Sequence, residues 1–233
     1  MRTSALAILV MLGLFRAAAA QQVTVDLGFV SASGNANFTS LNVGEKLTRK
    51  LGRIALSENA KILYGRTNGA TTTESYDVGA RAQYPLTSRV GVYALINFQR
   101  HPFAGLASRW LGGPGVAVGL VQTARDTLAI ESGVTSTRER STAAVTRSFG
   151  AARSAASFKH LFAAKSSLSE VVEWIANLKT SDDQRLNSET ALTAPLSRQV
   201  GLRVSYLVRF DNQPEPGFKK TDRILTTGIQ IAF

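Results

Sequence analysis

The last thirteen residues of the chain alternate between apolar side chains and small or polar ones. Phe233, Ile231, Ile229 and Leu225 fall on one face, and the positions between them are mostly Ala, Gln, Gly and Thr. A period of two predicts a β-strand with one apolar face. Because a soluble β-sandwich can end in such a half-buried strand, the rest of the chain has to distinguish a soluble sheet from a membrane sheet.

The same alternation recurs in eleven further segments. The twelve predicted strands cover residues 23–32, 38–48, 54–66, 72–84, 89–99, 109–122, 126–137, 154–163, 168–178, 184–194, 199–211 and 221–233. Most are longer than a typical soluble strand and long enough to cross the hydrocarbon of a bilayer when tilted. Since residues 138–163 are poorly patterned, ten or fourteen strands are the alternatives to twelve.

The breaks between segments alternate in character. Short breaks follow the even-numbered segments, at residues 50–53, 85–88, 123–125, 164–167 and 195–198. The other breaks are mostly longer and contain the Asn-Gly, Pro-rich and Arg-rich stretches. Tight turns on one rim and larger loops on the other are typical of a membrane barrel. An open sheet in lipid would leave backbone groups unpaired. The fold prediction is therefore all-β, a transmembrane antiparallel up-and-down β-barrel of about twelve strands.

Eight aromatic residues lie mostly toward segment ends, as the interface girdles of a membrane barrel require. They are Tyr64, Tyr84, Phe98, Trp110, Trp174, Tyr206, Phe210 and Phe233. Ordinary core aromatics are the alternative interpretation.

The first twenty residues predict export. Arg2 precedes an apolar run, and Ala18 and Ala20 are the small residues of a signal-peptide cleavage site. The apolar run is too short for a transmembrane helix. We therefore predict a secretory signal peptide at 1–20 and an outer-membrane barrel domain at 21–233. The chain contains no cysteine, so it folds without disulfides.

Net charge is the next constraint. The whole chain carries +11, and removing the signal with Arg2 and Arg16 leaves 11 − 2 = +9. A basic chain often binds nucleic acid, but export argues against that partner and in favour of lipopolysaccharide. The residues expected in outer loops facing its phosphates are Arg138, Arg140, Arg147, Arg153, Lys219 and Lys220. A solvated, disordered loop is the alternative for this stretch.

Short motifs near both ends resemble a known family. They are Leu-Gly-Phe at 27–29, Ser-Gly-Asn at 33–35 and Lys-Thr-Asp at 220–222. The chain is similar to the YdiY-like, salt-induced outer-membrane proteins, a family of unknown function, although Ala36 stands where that family often has Thr. The resemblance implies an outer-membrane barrel and says little about activity. We predict a structural role in the salt or osmotic adaptation of the envelope. The last strand also resembles the closing strand of outer-membrane barrels, which implies that Leu225, Ile229, Ile231 and Phe233 are the signal for the barrel-assembly machinery.

Charged residues of both signs fall on the face predicted to line the lumen. They are Arg81, Arg89, Arg203, Arg209, Lys46 and Lys61, together with Asp26, Asp77, Glu131, Glu173, Glu189, Asp211 and Asp222. Twelve strands lie between the eight that side chains fill and the sixteen that leave a channel. The charges either pair and plug the barrel, or they line a narrow passive pore for small anionic solutes.

Catalysis is not expected. His101 and His160 are the only histidines, and neither has an identifiable serine and acid beside it. Two scattered histidines and no cysteine provide no metal-ligand spacing, and no cofactor is implied. We predict a monomeric envelope protein without enzymatic activity. The alternatives are the narrow pore and, third, a soluble periplasmic binding module.

Overall fold

In residues 21–32, 38–162 and 166–233, which the computed structural model describes, twelve strands form one closed antiparallel barrel. The strands are β1 (Gln21–Ala32), β2 (Phe38–Leu51), β3 (Ile54–Thr67), β4 (Ala70–Pro85), β5 (Val90–His101), β6 (Leu106–Gln122), β7 (Asp126–Ser141), β8 (Thr146–Leu161), β9 (Ser167–Asn177), β10 (Gln184–Pro195), β11 (Val200–Asp211) and β12 (Thr221–Ala232). The predicted signal peptide lies outside the described residues. No helix in these ranges is long and apolar enough to span a membrane.

Each strand pairs with its neighbours in the chain, and β1 pairs with β12 to close the sheet. The closing register places Leu27 opposite Ile229 and Thr24 opposite Ala232. Closure leaves no strand edge without a partner, as a sheet in lipid requires. The predicted fold class, the up-and-down topology and the number twelve are confirmed. We call the rim where β1 begins and β12 ends the terminal rim, and the opposite rim the loop rim.

The predicted arginine-rich loop at 138–153 is mostly strand. β7 runs to Ser141 and β8 starts at Thr146, so only four residues connect them. At the end of β7, the buried Thr137 and Glu139 alternate with the exposed Ser136, Arg138 and Arg140. Because both faces of β7 are polar there, the period of two is invisible in hydrophobicity. For the same reason, the difference in length between the two sets of connections is smaller than predicted.

The predicted turn residues adopt the expected backbone. Asn68 and Gly69 have φ of 48° and 80°, the left-handed pair of a two-residue hairpin. Two turns at the terminal rim share a sequence pattern and also a structure: the amides of Leu86 and Leu196 donate to the carbonyls of Val90 and Val200 at 2.9 and 2.8 Å. Each turn fixes the register of its own hairpin.

The outer wall is apolar and exposed, with Phe29, Val134 and Leu225 among its uncovered side chains. The buried apolar residues instead include an interior cluster on the strands β5 to β9. Its members are Tyr93, Leu95, Leu111, Ala117, Phe149, Ala151 and Ile175. An exposed apolar surface as large as this outer wall would be unusual in a protein surrounded by water. An exposed apolar wall around a filled interior is the arrangement expected of a protein that lies in lipid.

Candidate functional site: the barrel interior

The interior is divided into two regions, which we call the packed half and the hollow half. The packed half is the inner face of β5 to β9, where the apolar cluster lies. The hollow half is the inner face of β1 to β4 and β10 to β12, where small and polar side chains surround a cavity. These regions are built differently.

In the packed half, Arg153 of β8 joins groups from three other strands. Its Nη1 donates to the Tyr93 hydroxyl at 3.0 Å and to Glu131 at 2.9 Å, while its Nε donates to Glu173 at 2.7 Å. Arg81 forms a second ion pair with Glu131. Every charge in this group has a partner of opposite sign, so the group fixes the interior rather than binding a solute.

Inward glycines provide the space for Tyr93. A methyl group at Gly115 would lie 2.3 Å from the Tyr93 hydroxyl oxygen, and one at Gly133 would lie 3.0 Å from it. Glycine at these two inward positions therefore leaves room for the long side chain of a neighbouring strand.

The hollow half contains a cavity of about 50 Å³. Arg203 faces it and donates to Glu189 at 3.0 Å, and lies 3.7 Å from Asp26. Lys61 pairs with Glu189 from the opposite wall, since the four strands β2, β1, β12 and β11 separate β3 from β10 on the shorter way round. This ion pair therefore spans the interior and narrows the cavity.

A second bridge separates this cavity from the loop rim. Arg209 of β11 donates to Asp77 of β4 at 2.7 Å, and the ring of His101 lies 2.9 Å from the same carboxylate. Four strands again separate β4 from β11. Arg209 lines both this cavity and the next one, so the bridge lies where the two adjoin.

Above the bridge is a vestibule of about 80 Å³ at the loop rim. Three arginines converge there on the buried carboxylate of Glu139, with Arg109 at 2.8 Å, Arg185 at 3.2 Å and Arg147 at 3.6 Å. Arg185 also contacts Asp211 at 3.0 Å. The vestibule is thus a strongly charged chamber in which each of these arginines already has an acidic partner.

The loop at 212–220, between β11 and β12, partly covers the vestibule. Glu215 forms an ion pair with Arg147 of β8. The ring of Phe218 packs on Gly105, where an added methyl group would lie 2.9 Å from a ring carbon. Gly105 connects β5 and β6, on the far side of the barrel from β11 and β12. We call this loop the lid, and the contacts of Glu215 and Phe218 its latch.

Most of the predicted lumen residues do line the interior. The structure places Arg81, Arg203, Arg209, Asp26, Asp77, Glu173 and Asp222 there. Arg89 is an exception, because it lies exposed in the turn between β4 and β5. Counting in twos assigns Arg89 to the inner face, but the residue lies just before the strand begins, so the barrel wall does not enclose it.

The predicted loop arginines separate into three positions. Arg153 is buried inside the barrel, so its prediction as a loop residue was wrong, and Arg147 faces the vestibule. Arg138 and Arg140 lie exposed near the end of β7. Lys219 and Lys220 do lie in a loop, the lid. The positions of the first four follow from the continuation of β7 and β8 through the expected loop.

Sequence reasoning missed three charged groups of the vestibule: Arg109, Arg185 and Glu139. Arg185 has the parity of Glu189, so counting in twos from that residue would have found it. Glu139 was assigned to a loop. His101, also expected in a loop, lies at the end of β5 against Asp77, whereas His160 at the terminal rim pairs with Asp126 and packs on Phe162. In the described ranges, no cluster of ligating side chains is arranged to hold a metal ion.

A closed twelve-stranded antiparallel barrel with an apolar outer wall is the fold of outer-membrane proteins. The chain belongs to a family of proteins of unknown function, DUF481, whose model matches residues 25–233. Its fold is similar to that of the translocator domain of the autotransporter NalP from Neisseria meningitidis (TM-score 0.50, 13% identity, covering 97% of this chain and 92% of that one). It is also similar to the NanC porin (TM-score 0.51, 9% identity, covering 90% of this chain and 97% of that one). No curated protein matches the sequence.

Proposed function

We propose that the protein is a narrow passive pore of the outer membrane for small anionic solutes, closed by side chains in the conformation described. One observation carries the proposal: the cavity of the hollow half and the vestibule at the loop rim both reach Arg209, and the side-chain bridge from Arg209 to Asp77 lies where the two adjoin. Side chains change rotamer far more readily than a strand moves. A bridge of this kind therefore opens without any change in the barrel wall.

The chemistry of the bridge supports anions as the solutes. Arg209 faces both cavities, and its guanidinium binds a carboxylate or phosphate with two parallel hydrogen bonds. An anionic solute in the vestibule can replace Asp77 on Arg209, and Arg203 is the next cation on the same wall of the hollow half. An anion that moves from Arg209 to Arg203 in this way can pass through the barrel, because each arginine binds it without holding it permanently.

The lid supports a gated entrance. Its latch joins opposite sides of the mouth through the Glu215 to Arg147 ion pair and the contact of Phe218 with Gly105. Because longer loops face the outside in such barrels, we assign the loop rim to the cell exterior. The predicted signal peptide and the exposed apolar wall support the outer membrane as the location.

The test is single-channel conductance of the refolded barrel in a planar bilayer, with ion selectivity measured for the parent and for Arg203→Ala and Arg209→Ala. We expect steady conductance with a preference for anions that falls in both variants. Arg89→Ala is the matched control, since that side chain lies outside the lumen. The absence of conductance from a folded, inserted protein, even with the lid latch removed, would overturn the proposal of a pore.

A second candidate function, a plugged barrel with a structural role in the envelope, is favoured by the ion pairs that span the interior. Lys61 with Glu189 and Arg209 with Asp77 each join opposite walls. Were the barrel purely structural, Arg209→Ala and Asp77→Ala would lower its stability without producing any conductance.

A further inference from the structure

Two arginines on the outside of the barrel differ from those inside. Arg138 and Arg140 lie on the outward face of β7, in alternation with the buried Thr137 and Glu139. The interior arginines are all ion-paired; they are Arg81, Arg109, Arg147, Arg153, Arg185, Arg203 and Arg209. Neither outer guanidinium makes a hydrogen bond or an ion pair with any residue in the described ranges.

An aromatic pair fixes the level of these arginines relative to the membrane. Trp110 of β6 lies directly opposite Arg138 in the β6 to β7 register. Its ring packs on Phe98 of β5 with centroids 4.8 Å apart, and Trp110 is 52% exposed on the outer wall. Exposed tryptophan on a membrane barrel lies at the headgroup level. Arg140 is two residues nearer the loop rim than Arg138, so the guanidiniums reach into the headgroup layer.

We infer that Arg138 and Arg140, with the Phe98 and Trp110 pair below them, form a binding site on the outer wall for the phosphate of an outer-leaflet glycolipid, lipopolysaccharide. Two residues along a strand separate the two Cα atoms by about 7 Å, so both guanidiniums can approach one phosphate group. Two unpaired cations this close repel each other, and a bound phosphate removes that repulsion. The aromatic surface contacts the sugar or the first methylenes of the acyl chains.

A neighbouring arginine shows why the site centres on β7. Arg100 of β5 also faces outward near the loop rim, but its Nε lies 3.4 Å from Glu74 and its Nη1 donates to the Ala107 carbonyl at 3.4 Å. Its charge is partly neutralised. In the described ranges, only the β7 pair combines an exposed side chain, the lack of a partner and a neighbouring tryptophan.

This inference rests on the outer-membrane location proposed above but not on the pore, so the two can fail separately. The test uses the refolded barrel in detergent, carrying Trp174→Phe so that Trp110 is the only tryptophan. Lipopolysaccharide is titrated in, and binding is followed by the Trp110 emission. In Arg138→Gln/Arg140→Gln we expect the affinity to fall about tenfold or more, because charge-assisted contacts to phosphate are lost.

The matched control is Arg66→Gln/Arg223→Gln, which removes two exposed charges near the same rim on other strands. We expect that variant to bind within about twofold of the parent, because charges farther away than a Debye length are screened. The mobility shift of the unheated protein on a gel verifies that both variants are folded. The inference is overturned by an equal loss of affinity in the two variants. It is also overturned if dephosphorylated lipopolysaccharide or phosphatidylglycerol vesicles give the parent's affinity and emission change.

Discussion

The two halves of the barrel interior are built on different physical principles. In the packed half, apolar side chains and the Arg153 group fill the space as in the core of a soluble protein. In the hollow half, partly exposed charges meet across a gap, as Lys61 does with Glu189. To open a space in the packed half, many contacts must be lost together, whereas in the hollow half the loss of one bridge is enough. A single barrel can therefore be rigid on one side and open to passage on the other.

Small residues in the wall make room for the packed half. Gly115 and Gly133 on β6 and β7 let Tyr93 lie close to the backbone, since an added methyl group would lie 2.3 and 3.0 Å from its hydroxyl oxygen. Gly113 lets β7 approach β6, because a methyl group there would lie 2.0 Å from the Val134 carbonyl oxygen. Inward glycine beside Tyr93 thus serves close packing.

The largest expected effect comes from breaking the Arg153 group. Arg153→Met leaves Glu131 and Glu173 without their shared partner, in a site where the arginine side chain is only 9% exposed. We expect a loss of about 3–5 kcal/mol in the free energy of unfolding, as for other broken buried pairs. Urea unfolding of the barrel in lipid vesicles measures it.

The matched control is Lys61→Met in the hollow half, where the lysine side chain is 42% exposed. That change is expected to lower stability by about 1 kcal/mol or less. Equal losses in the two variants would show that the halves are not energetically distinct.

A smaller loss is expected from filling the space beside Tyr93. In Gly115→Ala the added methyl group would lie 2.3 Å from the Tyr93 hydroxyl oxygen and 2.6 Å from the Ser132 carbonyl oxygen. Overpacking of this kind costs about 1–3 kcal/mol. In Gly150→Ala, the control, the methyl group meets only Leu178 at 3.7 Å, and thermal unfolding should be unchanged. If the two alanine variants unfold at the same temperature, the side chains of the packed half are less tightly packed than described.

The lid gives an effect on conductance rather than on stability. Phe218→Ala and Glu215→Gln each remove one contact of the latch, so we expect the open time or the conductance in planar bilayers to rise in both, and most in the double variant. Gln213→Ala changes the same loop without removing either contact and should conduct like the parent. A latch variant identical to Gln213→Ala would mean that the lid does not limit entry.

The sequence predicted the barrel well because a period of two is a direct consequence of strand geometry. Leu225, Ile229 and Ile231 lie on one face whatever the partner strand is, and Asn68 with Gly69 forms the expected hairpin turn. The pattern failed at β7 and β8, where Thr137 inside and Arg138 outside are both polar. Hydropathy cannot distinguish the two faces of a strand when both are polar.

The division into halves could not be predicted from the sequence. It depends on which residues meet across the lumen, and pairs such as Arg209 with Asp77 are 132 positions apart in the chain. The alternation along a strand shows that a side chain points inward, but it does not show which of the other inward-facing side chains it contacts. That requires the tilt and stagger of the closed sheet.

The smallest expected effect is on the salt dependence of conductance, and it tests the same contrast. Salt screens charges in contact with water much more than buried ones. The Lys61 and Arg147 pairs, each with a basic side chain 42% exposed, should weaken between about 0.1 and 1 M KCl. The Arg153 group, whose arginine side chain is only 9% exposed, should stay intact. Conductance of the parent should therefore rise faster than the conductivity of the bulk solution, whereas urea unfolding should change little. In Lys61→Met, which has no such bridge to screen, the excess rise should shrink; a parent whose conductance follows bulk conductivity throughout would show that these bridges do not control the passage.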